Sequence, residues 1–282
     1  MQPQPALTIG LAAMAALAYL TASLRVYRRL ASAALTNTAA TAANQAGASN
    51  TPIAVGALAV ALHSAVILLI AHNHGGLSSS FFDALSLTAL IIVVATMISQ
   101  FSQHVMTLLL PVYLFAASGV LAAPLLGHHT AIEAHSSGML LHIVSSIAGY
   151  SVVFVAALHA LQLYAAEKKL RAGITRPWLQ ALPPLQTMEN HLFHLIALGW
   201  LVISVAITSG ALYVENLLDQ QLLHKTVFSI VSWLLLSALL AGRWLYGWRG
   251  RTAVRWTLGA FIALLLGYLG SKFMLDIVLG TL

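Results

Sequence analysis

Apolar residues in this chain do not alternate with polar ones. They run in unbroken stretches long enough to cross a lipid bilayer. About 20 apolar residues, rising 1.5 Å each along a helix, span a hydrocarbon core about 30 Å thick. The stretches predict membrane helices at roughly 5–24, 52–71, 82–100, 105–125, 138–165, 192–213, 224–241 and 254–277. Backbone polar groups in lipid must bond within their own segment, so continuous runs of this length predict helices. The expected fold class is all-α: a polytopic membrane helix bundle of about eight transmembrane helices, forming a single membrane domain over residues 1–282. No basic residue precedes the first stretch and arginines follow it, which predicts an uncleaved anchor with its N-terminus outside. Residues 31–51, rich in Ala, Thr, Asn and Ser, predict a low-complexity cytoplasmic loop.

Composition agrees with the pattern. The chain is 60% hydrophobic and 7% charged, against about 25% charged residues in a soluble domain. Too few charges are present to cover a surface in water. The absence of cysteine excludes disulfides, thiolate metal sites and covalent haem attachment through this chain.

The net charge of +6 is explained by where the charges stand, and no nucleic-acid partner follows from it. Arg25, Arg28 and Arg29 follow the first stretch. Lys168, Lys169, Arg171 and Arg176 follow the fifth, and Arg243, Arg249, Arg251 and Arg255 lie between the seventh and eighth. These are eleven of the thirteen basic residues. The other connections carry His72, His74, His128, His129, Glu133, His135, Glu215 and Asp219. Positive charge stays in the cytoplasm, so both termini are expected on the outer, periplasmic side of a bacterial inner membrane.

Four groups of residues carry candidate chemistry. Histidine is the first, because twelve imidazoles are many for so apolar a chain, and imidazole ligates metals and haem iron. His142 stands just inside the fifth stretch. Ser145, Ser146 and Gly149 follow on one helical face and form a trough of small residues. Two readings stay open: an axial ligand above a flat ligand, or an interfacial histidine beside a helix-packing groove. His63, mid-stretch, is either a second axial ligand or relay member, or a neutral ring bonded to a neighbouring helix. His159 lies deep in the fifth stretch.

The second group is Pro183 to His194. Thr187 is expected to cap a helix, and Glu189, His191 and His194 offer a weak metal-ligand spacing. The third, Gly242 to Trp256, interleaves arginine with aromatics, the composition of a membrane-surface anchor. In the fourth, Tyr213, Glu215, His224 and Lys225 surround one outer loop, and Lys272 and Asp276 extend its rim. There Lys225 meets either Glu215 or Asp219, or a ligand carboxylate. No nucleophile–base pair or phosphate loop stands out, so no enzymatic activity is expected. Nor do matching halves carry broken helices of the kind that mark transporters.

The segments Glu189–Gly210, Ser209–Glu215, His224-Lys225-Thr226 and Trp233–Lys272, especially Gly247-Trp248-Arg249-Gly250-Arg251, resemble the cytochrome c assembly family of membrane proteins. That family includes CcsA/ResC-type haem-handling proteins and HemX-like proteins. The similarity covers about residues 55–278 and is strongest after residue 180. It implies non-covalent haem b binding near the periplasmic face, with His142 at the family's first outer histidine and as the candidate iron ligand. His63, His224 and Lys225 are the further cofactor-binding candidates. The expected partners are the lipid bilayer, haem and other membrane or cytochrome-assembly proteins. Family members also carry a tryptophan-rich W-W-D motif where this chain has Tyr213 to His224, a stretch without tryptophan, and a second outer histidine where Lys272 to Leu282 has none. A HemX-like accessory or regulatory role therefore stands beside haem handling.

An alkaline-phosphatase reporter fused after Lys169 is expected to stay inactive in the cytoplasm. Periplasmic activity there would overturn the orientation.

Overall fold

The computed structural model describes residues 5–35, 51–76, 80–103, 106–127, 137–173, 184–213 and 220–267. Eight helices are described: α1 (Pro5–Leu35), α2 (Thr51–His74), α3 (Phe81–Gln103), α4 (Met106–Leu126), α5 (Ser137–Arg171), α6 (Leu185–Tyr213), α7 (Gln220–Tyr246) and α8 (Arg251–Leu265). The first seven are long and apolar enough to cross a membrane. The apolar stretch that begins in α8 continues into residues outside those described, where residues 36–50 of the expected loop and most of the connections rich in histidine or acid also lie; residues 31–35 of that loop are helical and belong to α1.

Several helices outrun their apolar stretches. α1 continues past Arg25, Arg28 and Arg29 to Leu35, because alanine, leucine and arginine are strong helix formers. α6 begins at Leu185, seven residues before the apolar run. The Pro184 carbonyl accepts the Thr187 and Met188 N–H groups at 2.9 and 3.1 Å. Thr187 therefore lies inside the first turn and does not cap it.

The bundle is apolar outside and selectively polar inside. Leu17, Leu68, Ile98, Leu201 and Leu234 expose half or more of their surface, while His63, Ser86, Thr96, Ser151, His159 and Thr257 are fully buried. Exposed leucine over so much of the surface is stable only against lipid. Serine and threonine hydroxyls bond back to their own helices, for example Thr96 to the Ile92 carbonyl at 2.7 Å and Thr257 to the Ala253 carbonyl at 2.8 Å. Each hydroxyl is thereby satisfied without water.

Helices α5 and α6 pack antiparallel. A Cβ on Gly149 would sit 2.9 Å from Ile203 Cγ1, and one on Gly199 would sit 2.8 Å from Val153 Cγ2. Only glycine permits this approach, as small residues do throughout membrane interfaces. α7 is clasped to α6 by a reciprocal pair. The Trp200 indole donates to Ser237 Oγ at 2.7 Å, and the Trp233 indole donates to Ser204 Oγ at 2.8 Å. Each serine in turn donates to the carbonyl of the opposite bond's tryptophan on its own helix, Ser204 to Trp200 and Ser237 to Trp233. The two indoles stack with centroids 6.0 Å apart. Phe154 of α5 joins the halves of the bundle, stacked on Phe115 of α4 and edge-on to Phe261 of α8.

These contacts bring the basic segments to one end. Ser23, just before the arginines of α1, donates to the Leu110 carbonyl in the first turns of α4. Gln162 of α5 bonds Thr107 of α4, and Arg243 at the end of α7 pairs with Glu189 at the start of α6. The expected alternation of the charged connections is therefore present in the packing.

Each of Trp200→Phe and Trp233→Phe is expected to cost about 0.5–2 kcal/mol of bundle stability, the range for interhelical hydrogen bonds in membranes. Because the serines link the two bonds, the double variant should cost less than the sum. Steric-trapping unfolding in detergent measures this, and strict additivity would show two independent bonds.

Candidate functional site

His142 lies in the second turn of α5, half-buried against α6. Its Nδ1 donates to the Ala206 carbonyl at 2.8 Å. A carbonyl accepts only, so in the neutral ring Nδ1 carries the proton and Nε2 carries the lone pair. The ring rests on Gly210, where a Cβ would lie 2.8 Å from Cε1 and 2.9 Å from Nδ1. The helix end Ser209-Gly210 thus supplies both the acceptor turn and the space for the ring. A carbonyl holding one nitrogen while the other keeps its lone pair is the arrangement that orients a histidine for metal ligation.

The trough beneath His142 is filled by protein. Ser145 donates to the Leu141 and His142 carbonyls at 2.6 and 3.2 Å, and Gly149 meets Ile203 and Val202. The small residues at 145 and 149 serve helix packing. In the chain, the connections nearest to His142 and Gly210 are those at 128–136 and 214–219. Those connections, with His128, His129, His135, Glu215 and Asp219, lie outside the described residues.

His224 and Lys225 belong to the first turns of α7, His224 exposed and Lys225 half-buried. Tyr150 of α5 shares a 3.1 Å hydrogen bond with Ser229 Oγ of α7, which places the start of α7 beside the His142 end of α5. A Cβ on Gly267 would lie 3.6 Å from the Lys225 carbonyl oxygen, so the far end of α8 reaches the same place. Lys272 and Asp276 lie outside the described residues.

His63 is held elsewhere. Its Nδ1 is 3.2 Å from the Tyr19 hydroxyl of α1, and its Nε2 is 2.9 Å from Ser86 Oγ of α3. Tyr113 of α4 packs beside Tyr19 at 5.8 Å between centroids and occupies the space left by Gly56. Two hydroxyls from neighbouring helices hold the ring. Both ring nitrogens are engaged, so ligation of iron by His63 requires one of these bonds to be given up. The structure joins His63 to α1 and α3 and His142 to α6, and it does not bring the two rings together.

The spacing of Glu189, His191 and His194 does not become a metal site. Glu189 accepts from Arg243 Nη1 at 2.6 Å, His191 turns inward and His194 is exposed. Among the described residues no three His, Asp or Glu side chains are grouped to hold a metal ion. Instead His191 meets His159, ring centroids 5.1 Å apart and edge-on. His159 Nε2 donates to the Met188 carbonyl at 3.0 Å. His159 Nδ1 and His191 Nε2 are buried without a hydrogen-bond partner. Sequence reasoning missed this pair, because only the α5–α6 register opposes the two positions.

The arginine–aromatic turn divides in two. Arg243 faces inward, bonded to Glu189 and lying 4.5 Å over the Phe193 ring. Trp248 folds onto Gly242 and packs on Trp256 at 5.2 Å. This return is possible because Gly247 takes φ +66° and its N–H reaches back to the Arg243 carbonyl. Trp244 and Tyr246 remain exposed, at 92% and 76%, as surface anchors.

Comparison with known proteins follows the same geography. The family model described as Cytochrome C assembly protein matches residues 51–279. The Inner membrane protein YpjD of Escherichia coli strain K12 is 32% identical over 234 residues, covering 78% of this chain and 88% of its own length. An uncharacterized 28.8 kDa protein of Azospirillum brasilense is 28% identical over 211 residues, 73% of this chain and 78% of that one. The Cytochrome c biogenesis protein CcsA of Gloeobacter violaceus is 29% identical over 91 residues, 32% of this chain and 27% of that protein. No solved structure matches the chain. The apolar spans and the inner-membrane relative make it a multi-pass inner-membrane protein, and the match over most of its length makes it a member of the cytochrome c assembly protein family.

Proposed function

We propose that this protein handles haem during c-type cytochrome biogenesis, binding haem b non-covalently near the periplasmic face. The observation that carries the reading is His142: Nδ1 is committed to the Ala206 carbonyl, and Nε2 is left as the basic nitrogen. Bound there, haem would supply redox-active iron, and His142 Nε2 would hold it. Gly210 keeps the imidazole seated against α6. His224 and Lys225 stand at the same end, where an imidazole and an ammonium suit a second iron ligand and a propionate carboxylate. The partial likeness to a cytochrome c biogenesis protein supports the same reading.

A second reading, a non-catalytic HemX-like regulator or scaffold for partner proteins, rests on the outer stretch from Tyr213 to His224. It carries no tryptophan with which to grip a porphyrin face.

Absorption spectra of the detergent-solubilised protein from haem-replete cells separate the two. Haem handling predicts a Soret band. His142→Ala should lower haem affinity at least about tenfold, the scale on which metal sites respond even to second-shell loss. Added imidazole should restore part of the band. A colourless wild-type preparation that still crosslinks to a defined membrane partner would establish the regulator instead. His63→Gln tests the remaining ligand candidate. Unchanged haem content would leave His63 to its bonds with Tyr19 and Ser86, and loss equal to that of His142→Ala would make it a ligand.

A further inference from the structure

At the arginine-rich end, the last turns of α5 and the first turns of α6 and α8 leave a cleft of about 750 Å³. Leu163, Leu170 and Leu185 give it an apolar wall, and Arg249, Gly250, Arg251 and Thr252 line it from the α8 side. Two acids also line it, and each already has its own cation. Glu167 Oε1 takes the Arg171 guanidinium at 2.8 Å, and Glu189 Oε1 takes Arg243 at 2.6 Å. The guanidinium groups of Arg249 and Arg251 have no hydrogen bond or ion pair among the described residues, and the Arg249 carbonyl accepts the Thr252 N–H at 3.2 Å. The cleft therefore holds two uncompensated guanidinium groups.

A further positive element is the start of α8. Gly250, at φ +52°, precedes it and no side chain caps its first N–H groups, although Glu167 Oε2 stands near, 3.6 Å from where a Gly250 Cβ would lie, so an anion there must sit on the Arg249 and Arg251 side of the helix start. An uncapped helix N-terminus favours an anion. Guanidinium forks match phosphate oxygens in pairs. Depth sets the remaining condition. Trp244, Leu245 and Tyr246, exposed at the end of α7 shortly before Arg249 in the chain, set this turn at the headgroup level, where large aromatic residues concentrate.

We propose that this cleft binds an anionic phosphate headgroup. Arg249 and Arg251 hold the phosphate at the start of α8, and the leucines cover the apolar part next to it. The membrane lipid of the arginine-rich leaflet is the source at hand, and a soluble phosphate carries the same chemistry. The binding is independent of haem, since no residue of the cleft belongs to the His142 site.

Native mass spectrometry of the full-length protein, offered phosphatidylglycerol or phosphatidylcholine, tests the lipid source. Equilibrium dialysis against inorganic phosphate tests the soluble one. The wild type should retain phosphatidylglycerol over phosphatidylcholine by about tenfold or more, from two arginines near the surface. An Arg249→Gln, Arg251→Gln double variant should lose the preference. Arg255→Gln, a change on the same helix outside the cleft, should keep it and controls for general surface charge. Helical circular dichroism confirms that the variants fold. Phosphate binding by wild type and not by the double variant, without lipid preference, assigns the cleft to a soluble phosphate. Equal retention of both lipids with no phosphate binding, or a double variant that keeps the wild-type behaviour, overturns the proposal.

Discussion

The approach of α5 to α6 is the contact on which the second half of this protein depends. Gly149 and Gly199 let the two helices come within van der Waals distance of each other's branched side chains. That single register sets His142 against the Ala206 carbonyl, His159 against the Met188 carbonyl and His191 beside His159. In a bilayer these bonds matter more for where they place polar groups than for their energy. Water is absent, so an imidazole that misses its acceptor has no substitute partner.

The two ends of the bundle are built for different chemistry. At one end the helix termini present His142, His224 and Lys225, with one imidazole nitrogen held by a backbone carbonyl and the other left basic. At the opposite end arginines outnumber acids, and the acids among them are already paired. The bundle interior between them is occupied by reciprocal contacts such as the Trp200–Ser237 and Trp233–Ser204 clasp. The first three helices contribute a separate buried network, Tyr19–His63–Ser86, in which both imidazole nitrogens are engaged. The chain that carries these two ends is a multi-pass inner-membrane protein of the cytochrome c assembly protein family.

Much of the site's neighbourhood was legible residue by residue. The outer position of His142, its small-residue face and the polar rim at His224 and Lys225 follow from helix periodicity and from which connections carry arginine. The face was readable, but its occupant was not. Ser145 and Gly149 suit a flat ligand and a helix equally, and α6 is what lies there. The spacing of Glu189, His191 and His194 failed for a related reason. Residues three apart share a helical side only loosely, and Arg243 from a distant helix claims the carboxylate. The Arg243-Trp248 turn was read as a surface anchor, and half of it faces inward.

By itself the sequence determined the class of solvent, the existence of the spans and the end at which positive charge collects. Each of these depends on sums over local stretches: apolar length against bilayer thickness, and arginine count per connection. Only the tertiary structure decided which nitrogen of which histidine has a partner. His63 meets two hydroxyls, His142 one carbonyl, and His159 Nδ1 and His191 Nε2 have no hydrogen-bond partner. Helices that are apolar on every side carry little information about their own rotation. Their partners follow from the register and crossing of distant helices, which no local pattern encodes.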